Sequence, residues 1–179
     1  TKYLVEQLDE NFLRNNKKMP GDLYSGDNVI NSVYLGVGQN LLSSSSLWEK
    51  FSYNNHYEKE NLKPLDFFIN SINSGNHSLI DLNQFAKFST LISLTGTRHV
   101  DNVHNWKLLY DNYHEKFSPI PWDLSSWYKK FRSPIDNFDS IEITNGIMGS
   151  LYKNQEFLYL RNKEMVNLIK NKSFYTEVL

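Results

Sequence analysis

After Pro64, four apolar side chains, Leu65, Phe68, Ile69 and Ile72, recur at i, i+3, i+4 and i+7. That spacing gathers them on one face of an α-helix; a strand would scatter them over both of its faces. Ser74-Gly75-Asn76 supplies the stop. A second helix follows, with Asp81-x-x-Gln84 as a capping box and Phe85, Phe88 and Ile92 on one face, and it runs to about Leu94, before Gly96. The period then changes. Trp106, Leu108 and Tyr110 alternate with other side chains, as Phe117 and Ile120 do less regularly, and the polar run from Asp111 to Lys116 between them predicts a β-hairpin. The fold class expected from this order is α+β and mostly helical.

Elsewhere the signals are shorter. Tyr3, Leu4 and Val5 are β-prone, and Asp9 is placed to cap a helix holding Phe12 and Leu13. Pro20-Gly21-Asp22 breaks the chain, and residues 23 to 46 offer only short apolar pieces between Gly, Asn and Asp before four consecutive serines. An irregular surface segment is expected there. Phe157, Leu160, Arg161, Leu168 and Ile169 predict a final amphipathic helix, and no internal repeat is evident. The 179 residues are one domain in size, and 11 Phe, 11 Tyr and 4 Trp give them ample rings for a packed interior. The opening residues do not resemble a signal peptide; they read as a strand already under way, which predicts a chain cut from something longer.

Charge and composition exclude several classes. A net charge of −1 leaves no basic surplus to neutralise a phosphate backbone, so no nucleic-acid partner is expected. Without cysteine there is no disulfide, thiolate nucleophile or Cys-based zinc site. No apolar run approaches the roughly 18 residues that a transmembrane helix requires.

The candidate chemistry lies in two loops. The first, Arg98-His99-Val100-Asp101-Asn102-Val103-His104-Asn105, precedes the hairpin, and the second, Pro121-Trp122-Asp123-Leu124, follows it. Singly, each reads equally well as turn formers and satisfied polar groups. Together they say more, because a folded hairpin brings its outer ends close, and with them Asp101, Asn105 and Asp123. Hard oxygen donors of this kind suit Mg²⁺ or Mn²⁺ holding a polyphosphate, since such metals need only one or two carboxylates. The order Asp, Asn, hairpin, Asp is also that of the catalytic and metal-binding loops of protein kinases.

Other motifs carry less. His99 and His104 lie five apart, not at the i, i+4 spacing of a zincin helix, and His56, His77 and His114 are expected at the surface. Gly36-Val37-Gly38 has no following Gly-Lys-Ser/Thr and reads as a flexible loop. Ser43 to Ser46 lack the context of a nucleophile elbow.

Several blocks, in order along the chain, are similar to the spore coat protein H (CotH)-like atypical kinases. Tyr3-Leu4-Val5-Glu6-Gln7-Leu8-Asp9-x-x-Phe12-Leu13 resembles that family's opening segment. Asp81-Leu82-x-x-Phe85-Ala86 resembles its helix before the catalytic loop. His99-Val100-Asp101-Asn102-Val103-His104-Asn105-Trp106 and Phe117-Ser118-Pro119-Ile120-Pro121-Trp122-Asp123 resemble its H-x-D-N-x-H-N-W and F-x-P-I-x-W-D signatures. The similarity covers residues 1 to 123.

The resemblance implies a protein-kinase-like C-lobe over residues 9 to 179, preceded by a hinge-like strand over 1 to 8, with the amino-terminal lobe missing. It implies Asp101 as the catalytic residue that orients or accepts the substrate hydroxyl proton. Asn105 and Asp123 would bind Mg²⁺ or Mn²⁺, and Glu6, Gln7 and Leu8 would lie beside the adenine of ATP. The implied activity is phosphorylation of Ser/Thr hydroxyls of a protein substrate, with little turnover by this chain alone. A spore-coat or cell-surface location goes with the family. Three features depart from its pattern or from that of kinases generally. Asn105 follows Asp101 by four positions where conventional kinases have five, Ser125 stands where many relatives carry a second acid, and no upstream lobe supplies a phosphate-contacting lysine. A catalytically silent coat or surface module of the same fold is the rival expectation, and a metal-dependent hydrolase using the same acids is a third.

Overall fold

Asp9 caps the first helix as its sequence predicts: its carboxylate accepts from the N–H groups of Asn11 and Phe12 at 2.8 and 3.0 Å, and α1 spans Glu10–Asn15. The computed structural model describes residues 7–27, 40–51, 61–95, 97, 100–124 and 146–171. Strands β1 (Asp22–Gly26) and β2 (Trp48–Lys50) follow α1, separated by single 3-10 turns at Leu41–Ser43 and Ser45–Leu47. Helices α2 (Lys63–Asn73) and α3 (Leu82–Thr95) lead into strands β3 (Trp106–Asp111) and β4 (Lys116–Pro119). Helices α4 (Gly146–Leu151) and α5 (Gln155–Lys170) complete the order. Among the described residues the fold is therefore α+β, five helices with one four-stranded antiparallel sheet, and helix is the larger share. No described helix is long and apolar enough to cross a membrane.

The two helices after Pro64 form as their spacing requires. Leu65, Phe68, Ile69 and Ile72 are all buried on α2. Gly75, at φ +72°, takes the left-handed position past the helix end, where its N–H reaches the Ile72 carbonyl and that of Asn76 reaches Ser71. On α3, Phe85, Phe88 and Ile92 are buried, and the helix continues to Thr95. Its cap is half of the expected box. The Gln84 N–H donates to the Asp81 carboxylate at 3.1 Å, but the Asp81 N–H is spent on the Phe117 carbonyl at 2.9 Å.

The predicted hairpin is present, embedded in a sheet of order β2-β1-β3-β4. Alternation along β3 divides the interior in two. Trp106 and Leu108 face α2 and α3, where Phe117 packs 4.6 Å from Phe68 and Trp106 lies 5.6 Å from Phe88, centroid to centroid. Leu109 faces the other way, into a smaller cluster with Leu8, Leu13, Leu23 and Ile120, against which Phe12, Phe51 and Trp122 also pack. Each fully buried ring or leucine contributes on the order of 1.5–3 kcal/mol.

One expectation is overturned. Residues 23 to 26, expected within an irregular surface segment, form with Asp22 an interior strand with every residue buried and a partner on each side. The alternation that marks a strand is hidden because its polar members are satisfied inside. Asp22 pairs with Lys50 at 2.9 Å, Ser25 accepts from the Lys107 ammonium, and Gly26 lies against Trp48. A Cβ at Gly26 would come within 2.7 Å of the Trp48 ring, so glycine is what lets the indole close over the strand. Leu41 and Leu42, in the same stretch, are core residues as well.

The last helix also departs from its pattern. Of α5, only Phe157 is buried, and Ile169 is 59% exposed. Polar contacts join it to α3, where the Arg161 guanidinium donates to Ser89 and Ser93 at 2.9 Å each; the same group lies 5.3 Å from the Tyr152 ring. Helix α4, which buries Ile147, Met148 and Leu151, had no clear periodic signal.

Candidate metal and nucleotide site

The hairpin delivers two of the three candidate residues to one point. Asn105 immediately precedes β3, and Asp123 follows β4 by four residues. The Ile120 N–H donates to the Lys107 carbonyl at 2.8 Å, which keeps the two chains together beyond the ladder. Asn105 Nδ2 then donates to the Asp123 carboxylate at 3.4 Å. Both residues have left-handed backbones, φ 64° and 48°. Asn and Asp are the non-glycine residues that tolerate this region best, and such conformations gather at functional sites.

Asp101 sits at the same end of the hairpin but is engaged locally. Its Oδ1 accepts from the N–H groups of Val103 and His104 at 2.7 and 3.0 Å, and His104 Nδ1 lies 2.7 Å away. Its carbonyl accepts from the buried Trp106 indole at 2.7 Å, which pins the loop to the core. Asn102 holds the loop from the far side, with its carbonyl taking the Leu41 N–H at 2.8 Å and its Oδ1 taking the Gly146 N–H. The Asp101 side chain remains 43% exposed, and its Oδ2 has no hydrogen-bond partner among the described residues.

A short repeat brackets β3. Asp101-Asn102-Val103-His104 precedes the strand, and Asp111-Asn112-Tyr113-His114 begins at its last residue. The second copy makes the same turn: Asp111 Oδ1 accepts from Tyr113 and His114 N–H at 2.9 and 3.1 Å, and His114 Nδ1 lies 2.7 Å from Oδ2. Burial works to raise the Asp111 pKa, but the His114 ring and the backbone N–H groups of His114 and Tyr113 outweigh it and hold the carboxyl below its ordinary range. Asp-Asn-x-His thus builds this turn away from Asp123 too. The repeat escaped the sequence reading because it is only four residues long.

The remaining candidates are spread. Leu8 is buried in the small cluster that Trp122 also touches, so it shares a sheet face with the residue next to Asp123, and Gln7 beside it is exposed. Glu6, the opening strand, Gly36-Val37-Gly38, His56, His99 and Ser125 lie outside the described residues. His114 is exposed, as expected, but His77 is not a simple surface residue. Its Nε2 lies 3.0 Å from Ser150 Oγ, and Asn154 Nδ2 lies 3.1 Å from its Nδ1. Burial lowers the His77 pKa, against an opposing contribution from Ser150.

Sequence reasoning missed Lys107. Its ammonium donates to Ser25 Oγ and lies 5.5 Å from the centroids of both Phe51 and Trp122. Burial lowers its pKa, while the carboxylates of Asp27 and Glu49 act to raise it. A lysine within an alternating strand is ordinarily a solvated side chain, so nothing in the pattern marks this one.

Among the described residues no cluster of three or more His, Cys, Asp or Glu is placed to hold a metal. That leaves room for Mg²⁺ or Mn²⁺, which take one or two protein oxygens and complete their shell with water and phosphate. Asp123 and Asn105 fit that demand, once the amide turns about its Cβ–Cγ bond to present oxygen instead of nitrogen. A groove of about 610 Å³, lined by Phe67, Tyr110 and several Asn and Ser side chains, involves the opposite end of β3 and is separate from this pair. No protein-family model matches the chain, and no curated protein matches it either.

Proposed function

We propose that this chain carries the C-lobe chemistry of a CotH-like, kinase-type phosphotransferase that moves the terminal phosphoryl group of ATP to a Ser or Thr hydroxyl of a protein. The observation that carries the reading is the approach of Asn105 to Asp123, 3.4 Å across the open end of the hairpin, with the Asp101 turn one residue before Asn105. The similarity of the two loop signatures to that family adds the chemical assignment. Asp123 and Asn105 would hold Mg²⁺ or Mn²⁺, which supplies charge neutralisation at the phosphates. Asp101 has one carboxylate oxygen fixed by the turn, and its Oδ2 is the atom available to the acceptor. It orients the hydroxyl and takes its proton as the new O–P bond forms and the bond from the γ-phosphorus to ADP breaks. Catalysis in such a site is positioning and electrostatics more than covalent chemistry.

A second reading has an observation of its own. The turn at Asp101 is repeated at Asp111 with the same set of donors, so the Asp101 bonds suit a structural role equally well. A silent module of the same fold would keep them.

Calorimetric titration with Mg²⁺–ATP separates the two readings. Asp123→Asn is expected to abolish metal-dependent nucleotide binding with little change in the melt. Asp101→Asn is expected to bind nearly as wild type while phosphoryl transfer, assayed in the full-length protein, is lost. Wild-type chain that binds no Mg²⁺–ATP, or an Asp123→Asn variant that unfolds yet spares activity in its folded remainder, would overturn the proposal.

A further inference from the structure

The residue with least structural justification near this pair is Lys107. Position 107 points to the same sheet face as Leu109, and the rings of Phe51 and Trp122 lie beside its ammonium. An apolar side chain there would extend the small cluster at no desolvation cost, whereas a half-buried ammonium loses hydration that must be replaced. The replacement is partial. The two rings, each 5.5 Å from the ammonium, offer it their negative faces, and Ser25 Oγ takes one N–H. An ammonium carries three donors, and among the described residues Ser25 is its sole hydrogen-bond acceptor. Asp27 and Glu49 act on it through their charge, and no ion pair to either is formed among the described residues.

We infer that Lys107 is a phosphate-binding residue of the proposed site, its ammonium held between Phe51 and Trp122 to meet a phosphate of the metal-bound nucleotide. The inference rests on the function proposed above and deepens it. Lys107, the second residue of β3, lies two positions after Asn105, at most roughly 7 Å of chain. The Trp122 ring that lies beside its ammonium belongs to the residue before Asp123. The cation and the metal pair therefore lie at the same end of the hairpin. The charge balance argues the same way. With Asp27, Glu49 and Asp123 nearby, an arriving polyphosphate meets acidic surroundings unless ammonium and metal act together.

The test titrates Mg²⁺–ATP, Mg²⁺–ADP and adenosine into the whole 179-residue chain and its Lys107→Met, Lys107→Arg and Asp123→Asn variants. Lys107→Met is expected to weaken both nucleotides about tenfold, the loss of one charge-assisted hydrogen bond, and to leave adenosine unchanged. Lys107→Arg keeps the charge between the rings and should retain most of the nucleotide affinity. If Lys107→Met weakens adenosine and nucleotides alike, or neither, the lysine is structural and the inference falls. Amine acylation of wild-type chain followed by mass spectrometry gives a second readout that needs no variant to fold. Mg²⁺–ATP should slow labelling at Lys107 and adenosine should not; equal labelling with both also overturns the inference. Asp123→Asn decides the premise. If it binds Mg²⁺–ATP as wild type does, the proposed function fails and takes this inference with it. If it loses binding while Lys107→Met does not, only the lysine assignment is wrong.

Discussion

The Asn105 side-chain amide donates to the Asp123 carboxylate at 3.4 Å, and both residues hold left-handed backbones, φ 64° and 48°. The hydrogen bond joins the two chains leaving the hairpin, and the backbone turns set the direction in which each leaves. Conformation and chemistry are thus separable at position 105. Alanine there keeps the Cβ that makes the left-handed region costly and glycine does not, so Asn105→Gly should be more stable than Asn105→Ala by about 1 kcal/mol. Urea unfolding of the two variants measures the difference. Both should lose metal-dependent nucleotide binding, whatever their stability.

Asp22 and Lys50 form a buried ion pair, 2.9 Å apart with side chains 7% and 3% exposed. Burial, then the neighbouring Asp22 charge, raises the pKa of the Tyr24 hydroxyl, which donates to the second Asp22 oxygen at 3.4 Å. Lys50→Met leaves a carboxylate in the interior without its counter-charge and should cost about 3–5 kcal/mol. The double variant Asp22→Asn, Lys50→Met should recover much of that loss. Denaturant midpoints of the single and double variants would show whether the pair couples in this way.

His77 predicts an acid-sensitive contact between the turn after α2 and the turn joining α4 to α5. Its folded pKa is depressed, first by burial, so the unfolded chain binds the proton more readily. The contribution is therefore fully present above the ordinary histidine value and is lost as pH falls through the folded one. Wild-type chain should lose more melting temperature than His77→Gln between pH 7.5 and pH 5. Equal losses would remove His77 from the account.

Trp106 links core to site, since the indole is 1% exposed and its N–H holds the Asp101 carbonyl at 2.7 Å. Trp106→Phe deletes that bond and leaves a small void, so a loss of about 1–3 kcal/mol is expected. The freed loop should also weaken transfer in the full-length protein more than it weakens Mg²⁺–ATP binding, because Asp101 is not among the proposed metal ligands. Melting and titration of the one variant separate these effects.

What the sequence disclosed followed from periodicity. Leu65 to Ile72 and Phe85 to Ile92 are all on the faces their spacing assigns, and the Trp106-Leu108-Tyr110 alternation located the hairpin that brings Asn105 to Asp123. Strand β1 was illegible because Asp22 and Ser25 are polar residues whose partners, Lys50 and Lys107, come from distant parts of the chain. The same dependence on distant partners concealed Lys107, whose neighbours Ser25, Phe51 and Trp122 converge only in the folded sheet. Local spacing could not show that Asp101, expected beside Asn105 and Asp123, instead turns back on Val103 and His104.

The segment before α3 has a consequence beyond the interior. Ile80 bridges to Phe117 in parallel, with the Phe117 N–H on the Leu79 carbonyl at 2.7 Å and its C=O on the Asp81 N–H at 2.9 Å. The outer edge of β4 is thereby occupied, and the strand closes on Pro119, which has no N–H to offer. At the opposite edge β2 extends for only three residues. Among the described residues, neither side of this sheet presents a long unpaired row of peptide groups, the feature by which an open sheet edge recruits a strand from a second chain.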